Sequence, residues 1–441
     1  MQPLRLIVIG NGVAGITAAR TVRALRQDAE ITVISDESPY FYARTALMWV
    51  YMRQLSRAAL EPFERRLWRE ERLELVHDRV VALDVARRTV TLESGATRSY
   101  DRLLLATGAE PARFGWPGQE LSGVQHFCTL SDLAALEALR PRVERAVVVG
   151  GGLIGIELVE LLLHDRVAVT YLIREPWYWD LVLSRDEAEL VHTLLREHGV
   201  ELLLEDLPEE LLGDDRGQVR ELVTRAGRRL PCQLVGLATG VRPRIALAQA
   251  AGLPCGQGIL VDRTLRTSVP EVYAAGDCAE IALEPDGRTL VQKLWYTAQR
   301  QGEAVGRVLA GLDAPYDPGV PYGSAQFLFC DYLTVGWFPH APYPPAAELL
   351  GRATAPRTVA ELALREHVVR SPRTRASARI AYLENQQVLG FSLLGARWNA
   401  ALLMRWIRER RPLPWVLEHL EEARFDEEFR RPPFPEGTSR A

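Results

Sequence analysis

The chain has 441 residues, 47% of them hydrophobic and 25% charged, enough for two to four globular domains with substantial cores. A formal net charge of −4 gives no electrostatic footprint for nucleic acid or an anionic membrane. No run reaches the roughly 20 apolar residues of a membrane span, and residues 1–10 lead directly into a strand and a glycine turn, so no leader and a cytoplasmic location are expected.

Residues 4–9 form a short apolar run suited to a strand buried on both faces of a parallel sheet. Gly10-Asn11-Gly12-Val13-Ala14-Gly15 follows, then an alanine-rich helical stretch to about Leu25 and a second strand at 31–35 closed by Asp36-Glu37. A G-x-G-x-x-G between strand and helix, answered by an acid after the next strand, is a dinucleotide-binding signature. Gly10 permits the tight turn, Gly12 lets backbone amides approach a pyrophosphate, and Gly15 lets helix and strand pack closely. The helix that opens at Val13 and Ala14 presents unpaired N–H groups to phosphate, and the carboxylate of Asp36 or Glu37 can bind a ribose diol. Leu105-Ala106-Thr107-Gly108 closes this copy.

The unit recurs. Residues 146–149 are its strand, Gly150-Gly151-Gly152-Leu153-Ile154-Gly155 its turn, 156–163 its helix and 169–173 the following strand. Laying Val169–Glu175 over Ile31–Glu37 matches Glu175 to Glu37 and Arg174 to Asp36, and Leu237-Ala238-Thr239-Gly240 closes the second copy. Two correlated fingerprints predict two bound dinucleotides. A carboxylate at the strand end favours NADH and an arginine favours the 2′-phosphate of NADPH; Glu175, in the slot of Glu37, tips the balance toward NADH. Trp177-Tyr178-Trp179 either covers the adenine or is local core.

Residues 267–277, ending Tyr273-Ala274-Ala275-Gly276-Asp277, resemble the T-x-x-x-x-Y-A-x-G-D box of flavoproteins with two dinucleotide domains. With the two glycine turns and the two A-T-G boxes, the chain resembles the pyridine nucleotide-disulfide oxidoreductase superfamily. Within it the likeness is to the ferredoxin- and rubredoxin-reductase type, which includes the apoptosis-inducing-factor proteins. Motif matches run from about Leu6 to about Gly302, and Trp295-Tyr296-Thr297-Ala298-Gln299-Arg300-Gln301-Gly302 resembles the W-x-x-A-x-x-Q-G segment whose helix faces the flavin pyrimidine. Pro117-Gly118, Gly123-Val124 and Thr129-Leu130 resemble the connection into the NAD domain.

The resemblance implies an α/β fold of two Rossmann-like, three-layer domains, the NAD domain inserted in the FAD domain, plus a small α+β C-terminal domain. The expected limits are 1–118 and 244–317 for FAD, 119–243 for NAD(P), and 318–441 for the last domain. It implies FAD and NADH or NADPH as cofactors. On the FAD side it points to Gly10, Gly12, Val13, Ala14, Gly15, Asp36, Glu37, Arg44, Thr45, Val80, Ala106, Thr107, Gly108, Gly276, Asp277 and Trp295. On the nicotinamide side it points to Gly150, Gly152, Leu153, Ile154, Gly155, Glu157, Arg174, Glu175, Thr239 and Gly240. In the family Asp277 would hold the ribityl chain and Arg44 would lie near the pyrophosphate.

Departures from the family pattern concern charge and sulfur. Residues 40–49 carry no cysteine where disulfide reductases have one or two, so thiolate chemistry at the flavin is not expected. Trp49 stands where ferredoxin reductases have lysine, and Lys293, the sole lysine of the chain, where glutamate is common. Cys128, Cys232, Cys255, Cys278 and Cys330 include no C-x-x-C, and His192 and His198 share no helical face, so neither a disulfide framework nor a metal site is expected.

Hydride transfer from nicotinamide to flavin N5 needs stacking geometry and no acid–base triad. Three residues have two readings each. Lys293 either stabilises charge at the flavin pyrimidine or is a solvated lysine; Trp295 flanks a cofactor ring or sits in the core; Glu157 faces the nicotinamide end or pairs with an arginine.

In the last third, strand-like runs at 327–329, 332–335, 379–383 and 388–394, with a hairpin turn around Asn385-Gln386-Gln387, suggest the α+β domain. Relatives use such a domain to complete the flavin site and sometimes to form homodimers. Residues 398–407 and Arg408-Glu409-Arg410-Arg411 admit peripheral membrane contact, but Glu418, Glu421, Glu422, Asp426, Glu427 and Glu428 restore negative charge and favour a packed helix. The leading function is an NAD(P)H-dependent FAD reductase serving an iron–sulfur protein or another small redox partner or molecule. The alternatives are a membrane-surface NADH:quinone reductase and an NADH-responsive flavin sensor.

Overall fold

The computed structural model describes residues 3–282, 288–328, 330–341, 343–352, 354–370 and 376–425; the expectations that fall on residues 1–2, Phe329, Asp426, Glu427 and Glu428 lie outside them. The chain divides into two compact units.

One unit takes residues up to Phe114, Gln125–Pro141 and Thr239–Asp317. Its five-stranded parallel sheet runs in the order Val272–Ala274, Arg102–Leu105, Arg5–Ile9, Glu30–Ser35, Leu73–His77. The central strands are aliphatic because they are buried on both faces of the sheet. Leu6, Val8, Ile34 and Leu104 are each at most 1% exposed. The helix Val13–Leu25 packs along the helix Trp295–Leu309, and small residues set the spacing. A methyl group placed on Gly302 would meet the Ala14 carbonyl at 2.6 Å, and one on Gly306 would meet Thr21 Cβ at 2.6 Å. This close crossing brings the two ends of the FAD-motif region together.

The other unit takes Gly115–Val124, Arg142–Ala238 and the chain from Pro318 onward. Glu201–Leu203, Ala168–Leu172, Arg145–Val149 and Leu234–Leu237 lie side by side and parallel, in the order of their counterparts in the first sheet. The repeat seen in sequence is therefore a repeat in space. Each copy also holds a three-stranded antiparallel meander that the sequence reading missed, Val80–Asp84 with Thr89–Leu92 and Thr97–Ser99 in the first copy, and Pro208–Gly213 with Val219–Thr224 and Arg229–Pro231 in the second. Their strands are short and half exposed, so hydrophobic periodicity is weak there.

The C-terminal segment builds an antiparallel sheet ordered Tyr322–Phe327, Cys330–Gly336, Val388–Leu394, Ser377–Tyr382, Arg365–Arg370. Gln386, at φ 67°, makes the expected hairpin turn. The Arg365–Arg370 edge strand was not anticipated, because its charged and exposed residues show no apolar alternation. The helix Ala400–Arg408 buries Leu403, Trp406 and Ile407, with the Trp406 ring 6.3 Å from Phe391 and 5.4 Å from Trp415. Its apolar face thus packs inside the protein. Among the described residues no helix is long and apolar enough to cross a membrane, and no cluster of metal-ligating side chains occurs.

Candidate dinucleotide sites

Both glycine turns are closed by the same hydrogen bonds. The Gly10 amide donates to the Ile34 carbonyl at 2.8 Å and the Gly150 amide to the Leu172 carbonyl at 3.0 Å. The Ala106 and Ala238 amides donate to Ile9 and Val149, each at 2.8 Å. Gly10 and Gly150 have φ 108° and 116°, a region that disfavours any residue with a Cβ. A methyl group on Gly10 would lie 2.1 Å from the Ala106 carbonyl oxygen; one on Gly15 or Gly155 would lie 2.1 Å from the carbonyl of Gly10 or Gly150.

Gly12 and Gly152 differ from these. A methyl group on either meets nothing within 4 Å. Each is the N-cap of its helix and makes no side-chain cap, which leaves the amides of Val13, Ala14 and Gly15, and of Leu153, Ile154 and Gly155, without a capping side chain. Closed glycines below and an open one above are what a dinucleotide pyrophosphate on a helix N-terminus needs. The residues fit FAD and a nicotinamide dinucleotide.

The two acids of the first copy diverge. Asp36 pairs with Arg79 at 2.9 Å on an exposed surface. Glu37 is half-buried and bound by Arg44 at 2.8 Å and by the Tyr42 hydroxyl. In the second copy Glu175 lies against the turn, its Oε2 3.6 Å from the position of a Gly151 methyl, while the exposed Arg174 donates to Glu175 Oε1 at 2.6 Å. The neighbouring aromatics divide as well. Tyr178 is fully buried beside Tyr171 and Phe327, whereas the Trp179 amide donates to the Gly151 carbonyl at 3.0 Å. Tyr178 is core.

The Gly276-Asp277 turn meets the first cradle. Gly276 has φ 83°, and a methyl group there would touch Ala14 Cβ at 2.9 Å. Its amide donates to the buried Gln301 Oε1 at 2.7 Å, a contact that reading the Q-G motif as a flavin-facing helix did not anticipate. Burial pushes the Asp277 carboxyl up to about 6, against the opposing pull of Arg44 and Lys293. Three charged residues from distant parts of the chain thus share one field.

The other expected positions vary. Thr107 Oγ1 donates to the Arg244 carbonyl at 2.7 Å and Thr239 Oγ1 to that of Ala112 at 3.4 Å, so both hydroxyls serve the chain itself. Gly108 and Gly240 have positive φ and open space beside them. Thr45 is exposed in the turn Arg44–Ala46, and Val80 begins the first meander. Trp295 opens its helix with its ring stacked on Phe41 at 6.0 Å. Lys293 is exposed, yet its Nζ donates to the Val241 carbonyl at 2.9 Å, so it is not simply solvated. None of the five cysteines, all among the described residues, forms a disulfide.

Burial, reinforced by the charge of Glu160, pushes the Glu157 carboxyl up to about 7. Because this lies above its unfolded value, the folded chain holds the proton over roughly pH 4.5 to 7 and loses stability as pH rises through that window. Glu157→Gln removes that loss. Urea unfolding at pH 8 should find the variant more stable than wild type by on the order of 2 kcal/mol, with little difference at pH 5. An equal difference at both pH values would refute the assignment.

Known proteins resemble the chain over most of its length. Residues 4–302 match the family model for pyridine nucleotide-disulphide oxidoreductases. The ferredoxin–NAD(+) reductase component of the biphenyl dioxygenase system of Paraburkholderia xenovorans is 34% identical over 320 residues, covering 72% of this chain and 77% of that protein. A ferredoxin reductase structure from Rhodopseudomonas palustris has TM-score 0.78 at 26% identity, covering 89% of this chain and 91% of the other. The covalent putidaredoxin reductase–putidaredoxin complex has TM-score 0.81 at 22% identity over 94% and 95% of the two chains, a likeness of fold. The chain belongs to the pyridine nucleotide-disulphide oxidoreductase family, as an FAD-dependent oxidoreductase that uses NAD(P)H.

Proposed function

We propose that the chain oxidises NADH and delivers the electrons to a small iron–sulfur protein. The matched pair of cradles carries this reading, since each has two closed glycines, one open glycine and a glutamate beside the turn or the segment tied to it. When bound, FAD supplies hydride acceptance at flavin N5 and release of electrons to a partner.

The chain's own residues supply position and field. Around Gly12, the amides of Val13, Ala14 and Gly15 bind the FAD pyrophosphate with Arg44 and Thr45 nearby, Glu37 takes the adenosine ribose, and Val80 and residues 106–108 line the site. Asp277 holds the ribityl chain and Trp295 flanks a ring. The amides at Leu153 and Ile154 bind the second pyrophosphate, Glu175 its ribose, and Glu157 lies toward the nicotinamide. Arg174 is already held by Glu175, and a 2′-phosphate would have to break that pair, which supports NADH. The proposed domain limits are 1–118 with 244–317, 119–243, and 318–441.

Lys293 places positive charge just before the helix whose N-terminus opens at Trp295. Lys293→Glu should lower the flavin midpoint potential by about 30 mV or more, measured by spectroelectrochemistry. An unchanged potential would leave Lys293 a tether for Val241 only.

The names of the relatives, ferredoxin reductase components among them, support an iron–sulfur acceptor. A visible spectrum followed by anaerobic titration with NADH and NADPH tests the cofactors. Turnover with ferredoxin, rubredoxin, quinone and oxygen tests the acceptor. Quinone as the only efficient acceptor would overturn the proposal, as would colourless protein that takes up no FAD.

A further inference from the structure

Glu37 is held from two sides. The Tyr42 hydroxyl donates to Oε1 and Arg44 Nη2 to Oε2 at 2.8 Å, while Arg44 Nη1 reaches the Cys128 carbonyl. Tyr42 is 7% exposed. Burial pushes its phenol well above the ordinary tyrosine range, although the Arg44 charge pulls the other way, so it keeps its proton and stays a donor at neutral pH. The segment is tied to the glycine turn, because Asn11 Nδ2 donates to the Ser38 carbonyl at 2.7 Å. Asp36, one residue earlier, is engaged by Arg79 instead.

A glutamate at a strand end ordinarily loses rotamer freedom when it binds a diol, and that loss weakens the ligand. Here the freedom is gone before the ligand arrives. Each carboxylate oxygen accepts one bond from the protein and keeps a lone pair for a ribose hydroxyl. We infer that Tyr42 is a positioning residue which, by fixing Glu37, makes the chain select FAD over FMN. FMN has no adenosine ribose and gains nothing from the fixed carboxylate. The inference rests on the reading that Glu37 takes that ribose.

The test titrates flavin-stripped, full-length protein with FAD and with FMN, following flavin fluorescence. Wild type, Tyr42→Phe, Glu37→Gln and the double variant form a cycle. Tyr42→Phe should weaken FAD about tenfold and FMN by less than about twofold, and on the Glu37→Gln background it should cost FAD little more. Equal losses for both flavins would show a packing role, and the same tenfold loss without Glu37 would show that Tyr42 acts elsewhere; either overturns the inference, as does unchanged FAD binding. The underlying reading fails separately, if wild type binds no FAD or if Glu37→Gln leaves FAD affinity intact.

Discussion

Gly12→Val should yield a folded protein without flavin. Gly12 has φ −70° and ψ −178°, extended backbone that valine adopts readily, and a Cβ there meets no atom within 4 Å. The side chain instead fills the space over the first-turn amides of the helix Val13–Leu25, where the pyrophosphate needs close backbone approach. FAD affinity should fall at least about a hundredfold, because the amide contacts and the helix dipole cannot be reached. The absorbance ratio of visible flavin to protein measures this, and melting of the flavin-free forms should agree within about 5 °C. Gly10→Ala is the contrast. Its methyl would collide with the Ala106 carbonyl at 2.1 Å in a positive-φ turn, so that variant should lose the fold along with the flavin. A yellow Gly12→Val protein with wild-type affinity would place the cofactor elsewhere.

Arg379→Met should destabilise the second unit by about 3–5 kcal/mol. Arg379 and Glu187 side chains are 6% and 1% exposed, with Nε and Oε2 2.8 Å apart. Arg379 also donates to Glu366 and to the Val182 carbonyl, each at 2.8 Å, and its guanidinium lies 4.3 Å from the Phe338 ring centroid. Glu187 accepts from Ser392 at 2.6 Å and forms a capping box with Ser184 at the start of the helix Arg185–Glu197. Methionine fills similar volume but leaves a buried carboxylate without its counter-charge. Adding Glu187→Leu should recover most of the loss, since a packed apolar pair can match a buried ion pair. Urea unfolding followed by tryptophan fluorescence decides this. A double variant as unstable as the single one would show that shape, not charge, was lost.

The parts legible in sequence are those whose constraints lie within about thirty consecutive residues. A turn that needs φ above 100° admits little but glycine, so Gly10 and Gly150 reveal themselves in a string of letters. The buried strands beside them show as unbroken aliphatic runs, and the A-T-G boxes take matching places, Leu105 beside Ile9 and Leu237 beside Val149. The meanders and the Arg365–Arg370 edge were illegible, because half-exposed short strands carry little periodicity.

Sequence by itself determined that the strand–turn–helix unit occurs twice and which glycines its two turns require. Tertiary structure alone decided which charge each polar side chain meets. Asp36 and Glu37 are adjacent letters, yet one turns to Arg79 and the other to Tyr42 and Arg44. Gln301 finds the Gly276 amide, Lys293 finds Val241, and Arg379 finds Glu187, 192 positions earlier by the numbering. A backbone dihedral is fixed by its own residue and its neighbours, whereas an ion pair in low dielectric depends on what folding brings within a few ångströms.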